Sequence, residues 1–379
     1  MPPDRLITSG LVQRPAPRAF VPDLFKAVGC VLIVLHHLAF YGPMADAVAI
    51  AWPGVIGWLY DHARLAVQVF LVVAGFLGAQ GLQAAPPRDF RALLRRLGQR
   101  YLRLALPLLA ALSFTVLVSE ALRPVFAHDS LSATPGIWQV LAHMAFLQHV
   151  LDLQALSAGV WYVAIDLQLY ALALLLAWLL VRQGLGERWL QALWLGLTLA
   201  ALLWWNRIAT LDDWALYFLG AYGMGVLAAL ARRQSGGAAT LGGLGLLALG
   251  ALSWWVEPRE RLLLASLTAC ALALVPAAWM QGPQGRWRSA VDALARISYS
   301  VFVLHFGVCL AVNAVFALYL PTTPLVQALG MGLALLLSLA GGALLHRWTE
   351  QPVPSLAQWG WLAGGFAASS ALAMLLAGA

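Results

Sequence analysis

The chain has 379 residues, 62% of them hydrophobic and only 10% charged, with a formal net charge of +7. A soluble domain is about 45–50% apolar and about 25% charged, so this composition excludes a water-facing globular surface and leaves lipid as the solvent for most of the chain. The positive charge does not point to nucleic acid, because the basic residues sit at the ends of apolar segments, where membrane orientation places them.

The first twenty residues are polar, contain Arg5, Arg14 and Arg18, and carry no signal-peptide pattern. A helical span needs about 20 mostly apolar residues. That rule predicts spans near 24–42, 63–83, 102–122, 159–181, 188–205, 214–231, 239–256, 262–280, 297–319 and 324–347, with an eleventh near 357–378. Segment 137–151, with His143 and His149, is too short for a span and reads as an interfacial or re-entrant helix. Loops are short except 43–62, 84–101, 123–158 and 281–296. The expected fold is all-α: a polytopic integral membrane helical bundle of about ten or eleven transmembrane helices. A cytoplasmic segment 1–22 precedes one transmembrane domain over 23–353, and 354–379 adds a C-terminal helix.

Orientation follows from Lys and Arg placement. With the N-terminus cytoplasmic, only Arg64, Arg123, Arg207, Arg259 and Arg261 of the 23 basic residues fall outside. Glycine clusters such as Gly242-Gly243-x-Gly245 and Gly220, Gly223 and Gly225 lie within apolar helices with no preceding strand, so they read as close helix packing and not nucleotide loops.

Ionisable groups inside spans are costly, and each is a candidate for function. In the first span Lys26 and His37 are eleven residues apart, about 16 Å along one face, and Asp23 can pair with Lys26. His36 points about 100° away from His37. The fourth span places Asp166 about 8–10 Å below the outer surface, close to the depth expected for His37. A His and an Asp at matched depth suit a general base with an orienting carboxylate; a buried ion pair bracing two helices is the other reading. Arg100 and Arg103, at i and i+3 before Pro107, form a cationic face that suits phosphate groups or simply anchors the helix at the inner surface. His305 lies near the midplane, as compatible with a structural as with a functional histidine. Glu350 closes the tenth span and can brace an inner arginine; Gln68 and Asn313 are lesser candidates. Cys30, Cys270 and Cys309 lie in apolar runs and read as small packing hydrophobes. No metal is expected, since no His/Asp cluster has ligand spacing, and no nucleophile elbow is present.

Taken in order, these residues resemble the acyltransferase-3 family of membrane acyltransferases. Asp23-x-x-Lys26 and His37 are similar to its D-x-x-R…H opening, and Val69-Phe-Leu-Val-Val-Ala-Gly75-Phe-Leu to its F-F-x-x-S-G-F-L segment. Arg100-x-x-Arg103…Pro107 is similar to R-x-x-R…P. Trp161 through Asp166, Gln168 and Tyr170 resemble W-S-L-x-x-E-x-Q-F-Y. Ile297-Ser-Tyr299-Ser…His305 and Glu350-x-Pro352 resemble the closing I-S-Y-S-x-Y-L-x-H and E-x-P motifs. Lys26 replaces the usual Arg and loses its forked donors, Ala74 replaces Ser, and Asp166 replaces Glu with a shorter arm. Some members carry an appended soluble hydrolase-like domain; this sequence shows none, so activity is expected from the membrane part.

The resemblance implies a multi-pass protein of the bacterial cytoplasmic (inner) membrane. Cytoplasmic acyl-CoA, acetyl-CoA by default, would serve as co-substrate with no bound cofactor. Its phosphates would dock on Arg100 and Arg103, with Lys26 and Asp23 along the path. His37 would act as general base and Asp166 would orient it. The acceptor would be a hydroxyl of a glycan or other cell-envelope molecule, with Trp161, Gln168, Tyr170, Gln68, Tyr299, His305 and Glu350 as substrate or supporting residues. The expected partners are the lipid bilayer, acyl-CoA and the acceptor, with no nucleic acid and no readable oligomeric state. The alternative is a transporter or flippase with the same intramembrane charges along a permeation path; no internal repeat of the kind transporters show is visible.

Overall fold

In the computed structural model residues 19–378 are described. Arg5, Arg14 and Arg18, and most of the expected 1–22 segment, lie outside the described residues. Helices are the only regular elements among those residues. In chain order they are α1 (Phe20–Phe40), α2 (Pro43–Ala51), α3 (Pro53–Asp61), α4 (Ala66–Ala84), α5 (Phe90–Leu122), α6 (Ile137–Ala145), α7 (Val160–Arg182) and α8 (Glu187–Leu203). They continue as α9 (Ala215–Arg233), α10 (Gly237–Val256), α11 (Glu260–Leu274), α12 (Ala277–Gln281), α13 (Arg286–Tyr319), α14 (Pro324–Thr349) and α15 (Leu356–Gly378).

Nine helical stretches among the described residues are long and apolar enough to cross a membrane, so the chain is a multi-pass membrane protein. Of the eleven expected spans, α8 and α11 fall short, with 17 and 15 residues. Fifteen helical residues rise only about 22 Å, less than a hydrocarbon core of about 30 Å. α11 ends early because Pro276 pushes Val275 out of the helical region, to ψ 132°, so the expected 262–280 span breaks into α11 and α12. Two expected loops are instead helical. Segment 43–62 folds into α2 and α3, each opened by a proline in the first turn, where a missing N–H costs nothing. α5 starts at Phe90, well before the expected 102, because the Asp89 carboxylate accepts from Ala92 N–H at 2.7 Å and caps it. The short helix expected within 137–151 is α6.

α13 is the central helix and packs on α14, α1 and α5. α4 lies along α9, and glycine sets the approach: a Cβ at Gly75 would sit 2.1 Å from the Tyr222 carbonyl oxygen, and one at Gly225 2.0 Å from that of Val72. The turn from α1 to α2 needs Gly42, at φ +127°. Asn313 clamps that turn, donating to the Tyr41 carbonyl at 3.2 Å and accepting from Met44 N–H at 3.3 Å. α15 docks on α5, and Trp359 donates its indole N–H to the Tyr101 hydroxyl at 3.1 Å.

Candidate active site

Two cavities open at opposite ends of the bundle. One, of about 830 Å3, lies at the end where α4 and α7 finish and α5 and α13 begin; the other, of about 1030 Å3, lies beneath the connections α1–α4 and α5–α7. Here they are the basic-side and the far-side cavity.

The basic-side cavity holds Lys26, Arg96, Arg100, Arg103 and Arg296 against the carboxylates Asp166 and Glu350. Asp166, on α7 and buried, accepts from the Arg100 guanidinium on α5 at 2.5 Å. The same guanidinium lies over the Tyr170 ring, 5.3 Å from its centroid. Lys26 pairs with Asp23 across one helical turn at 2.6 Å. Tyr299 donates to the Leu104 carbonyl at 2.7 Å, tying α13 to α5 beside the cavity. Among the described residues Glu350 braces no arginine: it accepts from Ser300 at 2.5 Å and stands 3.2 Å from the His346 ring. Arg96, Arg100 and Arg103 occupy positions i, i+4 and i+7 of α5 and share one stripe. The sequence reading took only Arg100 and Arg103 from that stripe. It also passed over Arg296, which meets the stripe from α13, and Tyr222, whose buried hydroxyl has no partner among the described residues.

The far-side cavity is bordered by His37, His36, Gln68 and Trp161 together with residues of the loops. His37 is half-buried, stacks on Tyr41 at 5.6 Å between centroids, and places Nδ1 2.7 Å from Nε2 of His305. His305 is fully buried, and its Nδ1–H donates to the Val301 carbonyl at 3.2 Å. A carbonyl only accepts, so the His305 proton sits on Nδ1 and, in a neutral ring, Nε2 is the acceptor. His37 then donates through Nδ1–H, which leaves its Nε2 with the basic lone pair. His36 turns away, with Nδ1 3.2 Å from the Leu59 carbonyl. At the rim, Arg259 binds the Asn206 carbonyl at 2.7 Å and Arg261 the Tyr217 hydroxyl at 2.6 Å. Glu257 is held below the usual carboxylate range by hydrogen bonds from Arg259 and by the nearby Arg207 and Arg261 charges.

The structure therefore does not bring Asp166 to His37. Matched depth for Asp166 and His37 requires the fourth span to begin at the outer surface. It begins inside the bundle: Gly159, just before α7, lies against Phe302, halfway along α13, and Leu156 and Ser157 are buried. That entry carries Asp166 down to Arg100, and His37 finds His305 instead. Gln168 is also away from both cavities' linings and accepts from Ala215 N–H at 3.4 Å. Among the described residues no group of His, Cys, Asp or Glu has the arrangement to hold a metal.

The protein is a membrane-embedded helical bundle with a histidine pair at one cavity and an arginine-lined cavity opposite. The family model described as "Acyltransferase domain" (acyltransferase-3) matches residues 21–343. The chain belongs to that acyltransferase-3 family. It is also similar to a protein named "Regulator of hypoxia-inducible factor 1" from Caenorhabditis elegans, 29% identical over 166 residues, 40% of this chain and 33% of that one. The chain thus spans about a third of the length of the curated relative it matches. No solved structure matches.

Proposed function

We propose that the protein transfers an acyl group, acetyl by default, from acyl-CoA on the basic side to a hydroxyl acceptor in the far-side cavity. The observation that carries this reading is the separation of charge. The basic-side cavity holds three arginines, Arg96, Arg103 and Arg296, with no ion-pair partner among the described residues. The phosphates of coenzyme A need such forked donors. Arg100 and Lys26 are already neutralised by Asp166 and Asp23, so they line the path more than they hold phosphate. The unpartnered Tyr222 hydroxyl suits a pantetheine amide carbonyl.

His37 is the proposed general base, oriented by His305. Its Nε2 takes the proton of the acceptor hydroxyl as the oxygen forms a C–O bond to the acyl carbon. The C–S bond breaks, and the departing thiolate of coenzyme A takes up the proton that the His37 imidazolium gives back, which returns His37 to its neutral form. The basic side is read as cytoplasmic from the lysine and arginine bias. The bacterial inner membrane and a glycan or other cell-envelope hydroxyl as acceptor rest on the resemblance to the family.

The test is calorimetric binding of acetyl-CoA to the purified protein in detergent, wild type against Arg96→Ala/Arg103→Ala. Saturable binding by the wild type that weakens at least about tenfold in the double variant supports the donor site. A folded wild type that binds no acetyl-CoA removes it.

A further inference from the structure

Among the described residues that border the two cavities, Phe302 alone borders both. It stands halfway along α13, three residues before His305, and is buried. Its ring meets Tyr162 edge-on at 5.2 Å between centroids and Phe70 at 6.2 Å, and these two rings line only the basic-side cavity. Glycines seat this aromatic cluster. A Cβ at Gly159 would lie 2.9 Å from the Phe302 ring, and one at Gly29 3.0 Å from the Phe70 ring. Phe302 and Phe70, wedged against backbone and against Tyr162, have little room to swing, because packed interiors deform poorly.

We propose that Phe302, backed by Phe70 and Tyr162, is the septum that sets which acyl groups this protein transfers. The inference rests on the acyl-CoA reading above and deepens it. Under that reading the coenzyme stays in the basic-side cavity and only the acyl carbon must reach His37. The Phe302 ring fills the place where the two cavities meet, so the acyl tail must fit beside it. An acetyl group adds one methyl beyond the carbonyl. Each further methylene must displace an aromatic ring that is held against Gly159. The septum thus selects short acyl groups by exclusion, and it keeps water and ions of the two sides apart. Phe302 carries no chemistry itself; it decides specificity.

The test compares binding of coenzyme A, acetyl-CoA and butyryl-CoA to the full-length protein in detergent, in wild type and Phe302→Ala. The wild type is expected to bind butyryl-CoA about tenfold more weakly than acetyl-CoA, the order expected when two methylenes are refused burial. Phe302→Ala is expected to erase or invert that ratio while leaving affinity for coenzyme A itself unchanged. Gly159→Ala, which pushes the ring into the path, is expected to widen it. If Phe302→Ala is not monodisperse, Phe302→Leu, which keeps an apolar side chain and removes the ring, reads the same ratio. Equal wild-type affinity for the two acyl-CoAs, or a ratio unmoved in Phe302→Ala or Phe302→Leu, overturns the septum and leaves the donor site standing. No binding of coenzyme A by folded wild type overturns the acyl-CoA reading itself, a different result.

Discussion

The two cavities belong to one bundle, yet their electrostatics are opposed. On the basic side five cations face two carboxylates; on the far side Arg64, Arg259 and Arg261 face Asp61, Asp129, Asp212, Asp213 and Glu260. Two of those three arginines are already bound to Asn206 and Tyr217 at the rim. A polyanion such as coenzyme A is welcome in the first and repelled by the second. On the proposed reading, donor and acceptor therefore need not share a chamber, and only the small neutral acyl group would pass from one cavity to the other.

The comparison breaks most visibly at His37. If the cavities work independently, His37→Ala lowers transfer of label from acetyl-CoA into membranes of cells making the protein by about 100- to 10,000-fold. Acetyl-CoA binding to the purified variant stays at the wild-type level. A joint loss of binding and transfer would merge the two cavities into one site.

The charge contrast is sharpened next by a pair of variants. Arg96→Ala/Arg103→Ala/Arg296→Ala is expected to weaken coenzyme A binding by about 100-fold, with a shallower salt dependence, since each lost forked contact to phosphate removes a charge-assisted bond. Arg259→Ala/Arg261→Ala on the far side is expected to change it by less than about twofold. Equal effects from both would mean that the sign of each cavity has no bearing on the donor.

A smaller effect is expected from the pair that neutralises the basic-side path. Removing one member of a buried ion pair strands the other, at about 3–5 kcal/mol when both are fully buried. Arg100 keeps part of its side chain exposed, so Asp166→Ala or Arg100→Ala is expected to cost about 2 kcal/mol, read as a lower Tm in detergent. The double change Arg100→Met/Asp166→Leu is expected to recover most of that loss.

Much of this was legible in the chain. Apolar length placed the helices, and the lysine and arginine pattern separated the two faces, because lipid enforces both rules at every span. Asp23 with Lys26 was readable because a helix puts i and i+3 together. The partner of Asp166 was not, because span depth was counted from a surface that α7 never reaches: the chain dips at Leu156–Gly159 before the helix starts. The His37–His305 contact joins residues 268 apart in sequence, and local periodicity says nothing about which helices are neighbours. Glu350 was assigned an arginine on charge alone, whereas packing gives it Ser300. Arg96 was missed because it fell in the expected loop 84–101, whereas the helix starts at Phe90 and puts it on the stripe with Arg100 and Arg103; Phe302 carries no polar group to mark it, and only its place between the two cavities sets it apart.

The finest test lies at the ring behind His37. His305 touches no cavity, so its effect must run through His37, by holding the Nδ1 proton and leaving Nε2 basic. His305→Phe removes the acceptor and leaves His37 free to choose the wrong tautomer; transfer should fall about tenfold while the KM for acetyl-CoA, fixed on the basic side, stays unchanged. His305→Gln restores a carbonyl that can accept from His37 Nδ1–H and should return transfer to within about threefold of wild type. A histidine that merely filled space would behave in the reverse order. Phenylalanine, the closer match in shape, would preserve the rate, and glutamine would lose stability and rate together, as a drop in Tm would reveal.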